Sequence, residues 1–332
     1  MKKIKLVFIT LLVFVVVISM SSCYYNQNKN NLKKIKISEA TRSIFYAPQY
    51  VAISLGLFEK EGLEIELTTS EGSDKAMTAV LSKHSDIGLM GSEMIAYVYN
   101  EGKENFPIIF SQLTKRDGSF IVGRDENFSW DSLKGKSVIS GRKGGLPEMV
   151  FKHVLKKNGI IPNKDVKLLN NIKFELMGGA FLGGVGDYVT LFEPIASSFE
   201  HEKNCKVLKS VGSECGEITY TCYCSSQDYI KNNKETIKKF TKALYKSQIW
   251  IHQHDSKEVA ERILPYFVNI DKSLLEESLE RCVKVDVWSR TPVIKKEDFD
   301  LMQEIAIEAS ELKTKVDFNK IVDNQYAFEA TL

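Results

Sequence analysis

The chain has 332 residues, 45 of them basic and 43 acidic, for a formal charge of +2, and 43% of it is apolar. That near-neutral balance offers no electrostatic footprint for nucleic acid. The length exceeds what one hydrophobic core usually supports, so two lobes are expected.

The first stretch is a targeting segment. Lys2, Lys3 and Lys5 precede an apolar run from Leu6 to Ile18, interrupted only by Thr10. A basic start, a short apolar run and small residues before a cleavage point make a secretory signal over residues 1–22. The run is too short, and wrongly flanked, for a membrane span. Ser21 and Ser22 followed by Cys23 resemble a bacterial lipobox, with Met20 where Leu is usual, which implies lipidation of Cys23; an uncleaved anchor with an incidental Cys is the alternative. Loss of 1–22 removes three lysines and no acid, taking the charge from +2 to −1. Residues 23–34, rich in Asn and Lys with no apolar period, read as a flexible tether.

The fold begins with a short strand at 35–38, an aromatic loop at Phe45 and Tyr46, and a helix for which Pro48 suits the first turn. Gly56 and Gly62 punctuate its end. Residues 63–67 alternate apolar and charged, as a half-buried strand does. In an open α/β sheet such a loop leaves the carboxyl end of a strand, where ligands bind; an ordinary strand–helix joint with two core aromatics is the plainer reading. Ser73 is a natural N-cap for a helix bearing Met77, Val80 and Leu81. Residues 85–89 form the next strand, and Gly91, Ser92 and Glu93 turn into a helix through Tyr99. Ser92 would cap a helix N-terminus facing the cleft, and such a terminus suits an anion or carbonyl. Residues 107–113 and 119–124 read as strands, with Arg116, Asp117 and Gly118 as a tight turn between them.

The loop 141–148 (Gly-Arg-Lys-Gly-Gly-Leu-Pro-Glu) is the most chemically suggestive. Gly144, Gly145 and Leu146 free the backbone before Pro147 starts a helix, giving a candidate anion nest. It lacks the Gly-Lys-Ser/Thr ending of a Walker loop and the dinucleotide glycine pattern. The side chains of Arg142 and Lys143 read as solvated. A strand at 166–169 and a Gly-rich stretch lead to Asp187, Tyr188 and Glu193, the last directly before Pro194. Glu193 is either an acceptor for ligand N–H or O–H groups or a helix-end charge favoured by the dipole. Residues 216–226 form a strand, and helices follow at 227–254, 257–264, 272–283, 296–309 and 318–327.

Apart from Cys23 there are five cysteines, Cys205, Cys215, Cys222, Cys224 and Cys282. Their spacing fits no zinc pattern, and they read as small buried hydrophobes. The five histidines form no ligand cluster. No metal site or cofactor is expected.

The pattern Ala-Pro-x-x-Val-Ala at 47–52, then Gly-Leu-Phe-Glu-Lys-Glu-Gly-Leu at 56–63, resembles the opening unit of ABC-transporter solute-binding proteins for sulfonates, nitrate and thiamine precursors. The second cleft loop at 86–93, the stretch at 130–140 and the acidic residue before Pro194 are similar to later parts of that family, and the order of elements matches from 35 to 330. The resemblance implies an α/β, two-lobe periplasmic-binding-protein fold of type 2. Lobe I is 35–120 plus 220–332, lobe II is 121–219, and crossings near 120–124 and 219–225 form the hinge. It further implies a non-enzymatic monomer that binds a small-molecule ligand and delivers it to an ABC permease and its ATPase, lipid-anchored on the extracytoplasmic face of the cell membrane. The pocket would draw on Phe45, Tyr46, Gly91, Ser92, Glu93, Gly144, Gly145, Leu146, Asp187, Tyr188 and Glu193. Two alternatives stay open. The family is similar to a thiamine-pyrimidine synthase whose Cys-rich motif Cys222 and Cys224 resemble, although no Lys or His stands between Ala40 and Phe58. A binding module feeding a membrane sensor is the other.

Overall fold

The computed structural model describes residues 32–332. The signal segment 1–22, Cys23 and the tether up to residue 31 lie outside the described residues. The remaining end of the tether is ordered: Lys33 and Lys34 already pair with Leu63 and Glu64, so β1 runs Lys33–Glu39, starting two residues before the expected strand at 35–38.

Two five-stranded sheets share one plan. In the first, β1 lies between β2 (Leu63–Thr69) and β3 (Ile87–Gly91), all parallel. The strand β4 (Pro107–Thr114) forms the far edge. In the second, β5 (Ser119–Gly123) and β6 (Ser137–Ile139) are followed by β7 (Lys167–Leu169), β8 (Tyr188–Phe192) and β9 (Lys206–Ser210). Here β7, β6 and β8 are the parallel trio, and β5 runs antiparallel between β8 and β9. The last strand, β10 (Thr221–Ser226), returns to the first sheet and fills the matching antiparallel place between β3 and β4.

Residues 115–118 are therefore a crossing and not the turn of a hairpin, because β4 and β5 belong to different sheets. The second crossing is 216–220, after the short helix Val211–Cys215. Both lie a few residues from the expected 120–124 and 219–225, most of which are buried strand. The crossings are tied to each other. Asp117 accepts from Ser119 N at 2.7 Å and from the Tyr220 hydroxyl at 2.6 Å, and Gly212 packs so closely on the Asp117 backbone that any Cβ would overlap it. Lys115 and Arg116 of one crossing pair with Glu217 of the other at 2.9 and 3.2 Å. The Lys115 hydrogen bond, with other cations nearby, holds the Glu217 carboxyl down at about 2.

Helices cover the sheets. The helix α1 (Ala47–Ser54) starts with Pro48 in its first turn. It is followed by α2 (Ser73–Leu81), α3 (Glu93–Asn100), α4 (Leu146–Lys157), α5 (Ile195–Glu202), α6 (Lys234–Gln253), α7 (Lys272–Val285) and α8 (Lys296–Glu308). The helix expected over 227–254 breaks at Asn233, and that over 318–327 divides into Phe318–Ile321 and Gln325–Thr331. The core of the first lobe is aromatic: Phe58, Phe110, Tyr223 and Phe240 are buried and pack within 5.0–6.5 Å of one another. Among the described residues no helix is long and apolar enough to cross a membrane.

Candidate ligand-binding cleft

The aromatic loop is positioned by a buried carboxylate that the sequence pattern does not single out. Glu39, the last residue of β1, is fully buried and accepts from Arg42 Nε at 2.7 Å, Gln49 Nε2 at 2.8 Å, Tyr50 Oη at 2.8 Å and Thr69 Oγ1 at 2.8 Å. A buried charge persists only with such satisfaction. The network fixes both ends of 40–46. Ser43 then caps a single 3₁₀ turn, Ile44–Tyr46, and donates across the lobes to the Glu193 carbonyl at 3.1 Å. Trp288 Nε1 holds the Phe45 carbonyl at 3.0 Å.

Phe45 and Tyr46 so placed border a cavity of about 370 Å³ between the two sheets. Phe45 meets Phe192 edge-on at 5.4 Å and Tyr220 at 5.5 Å, and Phe174 packs on Phe192 at 5.7 Å. Gly118 is required here, since a Cβ would overlap the Phe45 ring. Of the residues picked from the sequence, Phe45, Tyr46, Gly91, Glu93, Gly145 and Leu146 line the cavity. Gly144 stands just behind it, at φ +75°, with its carbonyl accepting from Tyr97 Oη at 3.1 Å.

The structure places four others elsewhere. Ser92 does not cap α3; its φ of −68° is already helical, and its buried hydroxyl donates to the Thr219 carbonyl at 2.5 Å, where it braces the second crossing. Asp187 sits before the start of β8, away from the cleft, and accepts from Ser137 N and Oγ at 2.8 Å. Those bonds, the backbone one foremost, hold its carboxyl below the usual range. Tyr188 packs against Phe128 at 6.2 Å. Glu193 is buried and accepts from Ser197 N and Oγ, both at 2.9 Å, inside the first turn of α5, with Arg281 Nη1 at 3.5 Å. Burial pushes its carboxyl up. Glu193 borders a neighbouring hollow of about 380 Å³, which shares Thr41, Phe174 and Phe192 with the main cavity. Ser73 is likewise no cap; α2 is preceded by Gly72, and the Ser73 hydroxyl accepts from Gly91 N at 3.4 Å.

Several lining residues carried no strong signal. Phe192 is the last residue of β8, at the carboxyl end of a strand where α/β sheets bind ligands, and that position was the available clue. Phe174 lies in a short 3₁₀ turn with no pattern around it. Arg142, expected to be solvated, lines the cleft and pairs with Asp74 of the other lobe at 2.9 Å. Both partners are about half exposed, so the pair is worth at most about 1 kcal/mol and acts as a contact across the mouth.

Glu93 has the most unusual setting. It is 2% exposed, and its side chain folds back so tightly over Gly91 that a Cβ there would overlap the carboxylate. Oε1 accepts from Leu146 N, the first residue of α4 in the opposite lobe, at 3.4 Å. Oε2 is buried with no hydrogen-bond partner among the described residues. Burial pushes this carboxyl up to about 7, with its own backbone N–H, Leu146 N and the Arg142 charge opposing the shift.

A family model described as NMT1/THI5 like matches residues 44–258. The protein named "Putative binding protein YtlA" from Bacillus subtilis (strain 168) is 42% identical over 307 residues, covering 92% of each chain. The 4-amino-5-hydroxymethyl-2-methylpyrimidine phosphate synthase of Aspergillus parasiticus is 23% identical over 222 residues, covering 62% of this chain and 63% of its own. Among solved structures, the alkanesulfonate-binding protein SsuA from Xanthomonas axonopodis pv. citri, bound to MOPS, superposes with a TM-score of 0.70 at 15% identity, over 88% of this chain and 98% of that one. The fold is thus the two-lobe periplasmic-binding type, and the chain belongs to the NMT1/THI5-like family.

Proposed function

We infer that this protein is the solute-binding component of an ABC importer, which captures a small organic nutrient between its lobes and delivers it to a permease. The observation that carries this reading is the cavity between the two sheets, with its aromatic wall of Phe45, Phe174, Phe192 and Tyr220 and one unpaired carboxylate oxygen. Its size, about 370 Å³, suits a small molecule. The kinship with a named binding protein and the fold shared with an alkanesulfonate-binding protein support the same class. The solute is read as sulfonate-like or pyrimidine-like, and hinge closure about the two crossings as the capture step. Lipidation at Cys23 would keep the protein beside its transporter on the extracytoplasmic face and raise its effective concentration there.

The kinship with a pyrimidine phosphate synthase raises the question of catalysis. Among the described residues, neither a histidine nor a cysteine lines the cavity. Cys222 and Cys224 are buried within β10, where burial pushes both thiols up and away from the reactive thiolate. Binding without chemistry is the reading these features support.

The test is to purify the full-length protein from its own membrane, denature it, and identify the released small molecule by mass spectrometry, then titrate that molecule back by calorimetry. A defined organic solute that rebinds stoichiometrically is expected; no released solute and no rebinding overturns the reading. In the same preparation Cys23→Ala should leave the detergent phase while retaining the solute. Unchanged partitioning would remove the anchor from the proposal.

A further inference from the structure

Two helix N-termini converge on the cleft, those of α3 and α4, with 8 and 12 residues. Each carries a partial positive charge, the usual equipment for an anionic ligand; at α4 the Leu146 N–H goes to Glu93, Pro147 has none, and Glu148 N and Met149 N bond the Gly145 carbonyl. In this chain a carboxylate from the protein itself fills the place such a ligand would take. Glu93 folds back over Gly91 at the start of its own helix and accepts from the first N–H of α4 in the other lobe. The second carboxylate oxygen is buried and unpartnered among the described residues.

The remaining charges around the cavity agree. Its lining holds three cations, Lys75, Arg142 and Lys173, against four acids, Glu71, Asp74, Glu93 and Glu175. Lys75 pairs with Glu71 at 3.3 Å and Arg142 with Asp74 at 2.9 Å, so two of the three cations are already engaged by protein carboxylates. Once Glu93 is ionised, an added anion would meet a filled anion site and a lining with one more acid than base. A buried acceptor without a donor, by contrast, is costly until a ligand supplies the donor.

We propose that Glu93 is an internal anion that reverses the cleft's selectivity: the solute presents an N–H donor, as an amine, amidine or amino-substituted ring, to the Glu93 carboxyl, and sulfonates and nitrate are excluded. This rests on the reading of the cleft as a solute site, and it narrows the solute to the donor-bearing class. Gly91 is part of the device, because only a residue without a side chain lets the carboxylate lie against the strand end. Donor selection then belongs to Glu93, while Glu193 is engaged in the first turn of α5.

The experiment uses two arms on wild type, Glu93→Gln and Glu93→Ala, each checked for native circular dichroism. In the first, methanesulfonate and nitrate are added against chloride of equal ionic strength while melting is followed. Neither anion should stabilise wild type, whereas methanesulfonate should raise the melting temperature of Glu93→Ala, whose two helix N-termini are vacated. In the second, calorimetry with the solute released from the protein, and with benzylamine and benzamidine as donor probes, should show binding weakened about ten- to a hundredfold by Glu93→Gln, the loss of one charge-assisted hydrogen bond. Anion binding to wild type, failure of Glu93→Ala to gain it, or equal solute affinity in wild type and Glu93→Gln each overturns the inference. A protein that releases no solute and binds nothing in either arm defeats the solute-binding reading itself.

Discussion

Burial pushes the Glu93 carboxyl up to about 7, from an ordinary value of 4.5, and that single displacement has a sign that can be tested. The groups around it are Arg142 from the α4 loop, Tyr46 from the aromatic loop, Tyr97 from α3, and Tyr220 and Cys222 from the second crossing and β10. Those tyrosines and the cysteine are all raised, with burial the leading cause, so they stay un-ionised through neutral pH. The folded state keeps the Glu93 proton to higher pH than the unfolded chain. Its contribution is therefore full below about 4.5 and lost as pH rises through about 7. Wild type should lose up to about 3 kcal/mol across that window from this group. Glu93→Gln should lose less, so urea midpoints at pH 5 and pH 8 should lie closer together in the variant. Parallel pH curves for the two proteins would show that Glu93 titrates as an ordinary surface acid.

At the scale of elements, the joint between β1 and α1 is set by Glu39 and not by the aromatic residues that stand out in the chain. Its four hydrogen bonds draw Arg42, Gln49, Tyr50 and Thr69 to one carboxylate, which aligns the loop, the helix and the end of β2 together. Removing it leaves buried donors unmet, so Glu39→Ala should destabilise the fold by on the order of 3 kcal/mol, measured by chemical denaturation. An effect below about 0.5 kcal/mol, the scale of an unremarkable surface change, would show that the network adds nothing. In the structure Ile35 and Ile37 of β1 are buried, but a lone acid at a strand end looks the same in sequence whether it is solvated or satisfied. Glu193 illustrates the same limit. Either a ligand acceptor or a helix-end charge fitted its place before Pro194; the Ser197 N–H and hydroxyl engage both carboxylate oxygens, while Glu193 also borders the hollow beside the cleft.

For the whole molecule, the two crossings at 115–118 and 216–220 are the only chain connections between the sheets among the described residues, and Asp117, Tyr220 and Glu217 bind them into one strap. Across the mouth the lobes meet through Arg142 and Asp74, Tyr97 and Gly144, and Glu93 and Leu146. Further out, Arg281 of α7 pairs with Glu200 of α5. The exposed contacts of this kind oppose opening weakly, and a solute bridging both lobes should add to them. Small-angle scattering should therefore show a smaller radius of gyration with solute than without, at unchanged molecular mass. Equal radii, with binding shown by calorimetry, would leave the strap as a rigid joint.

The amino-acid sequence marks many of the elements, because strand alternation, Pro48 and Pro147 at helix starts and glycines at helix ends are local signals that survive without tertiary context, but it does not mark β8, β9 or α5. It also determined six of the cavity-lining residues, since strand ends in an α/β sheet are where such sites lie. Tertiary structure alone decided what those residues face. Ser73 and Ser92 have the chemistry of helix caps, yet the fold turns their hydroxyls toward the Gly91 N–H and the Thr219 carbonyl. The sequence shows glycine-rich helix starts suited to an anion, and only the approach of α3 to α4, from opposite lobes and 53 positions apart, brings Glu93 onto both. Electrostatics at a cleft depends on distances between segments remote in the chain, and residue spacing does not encode them.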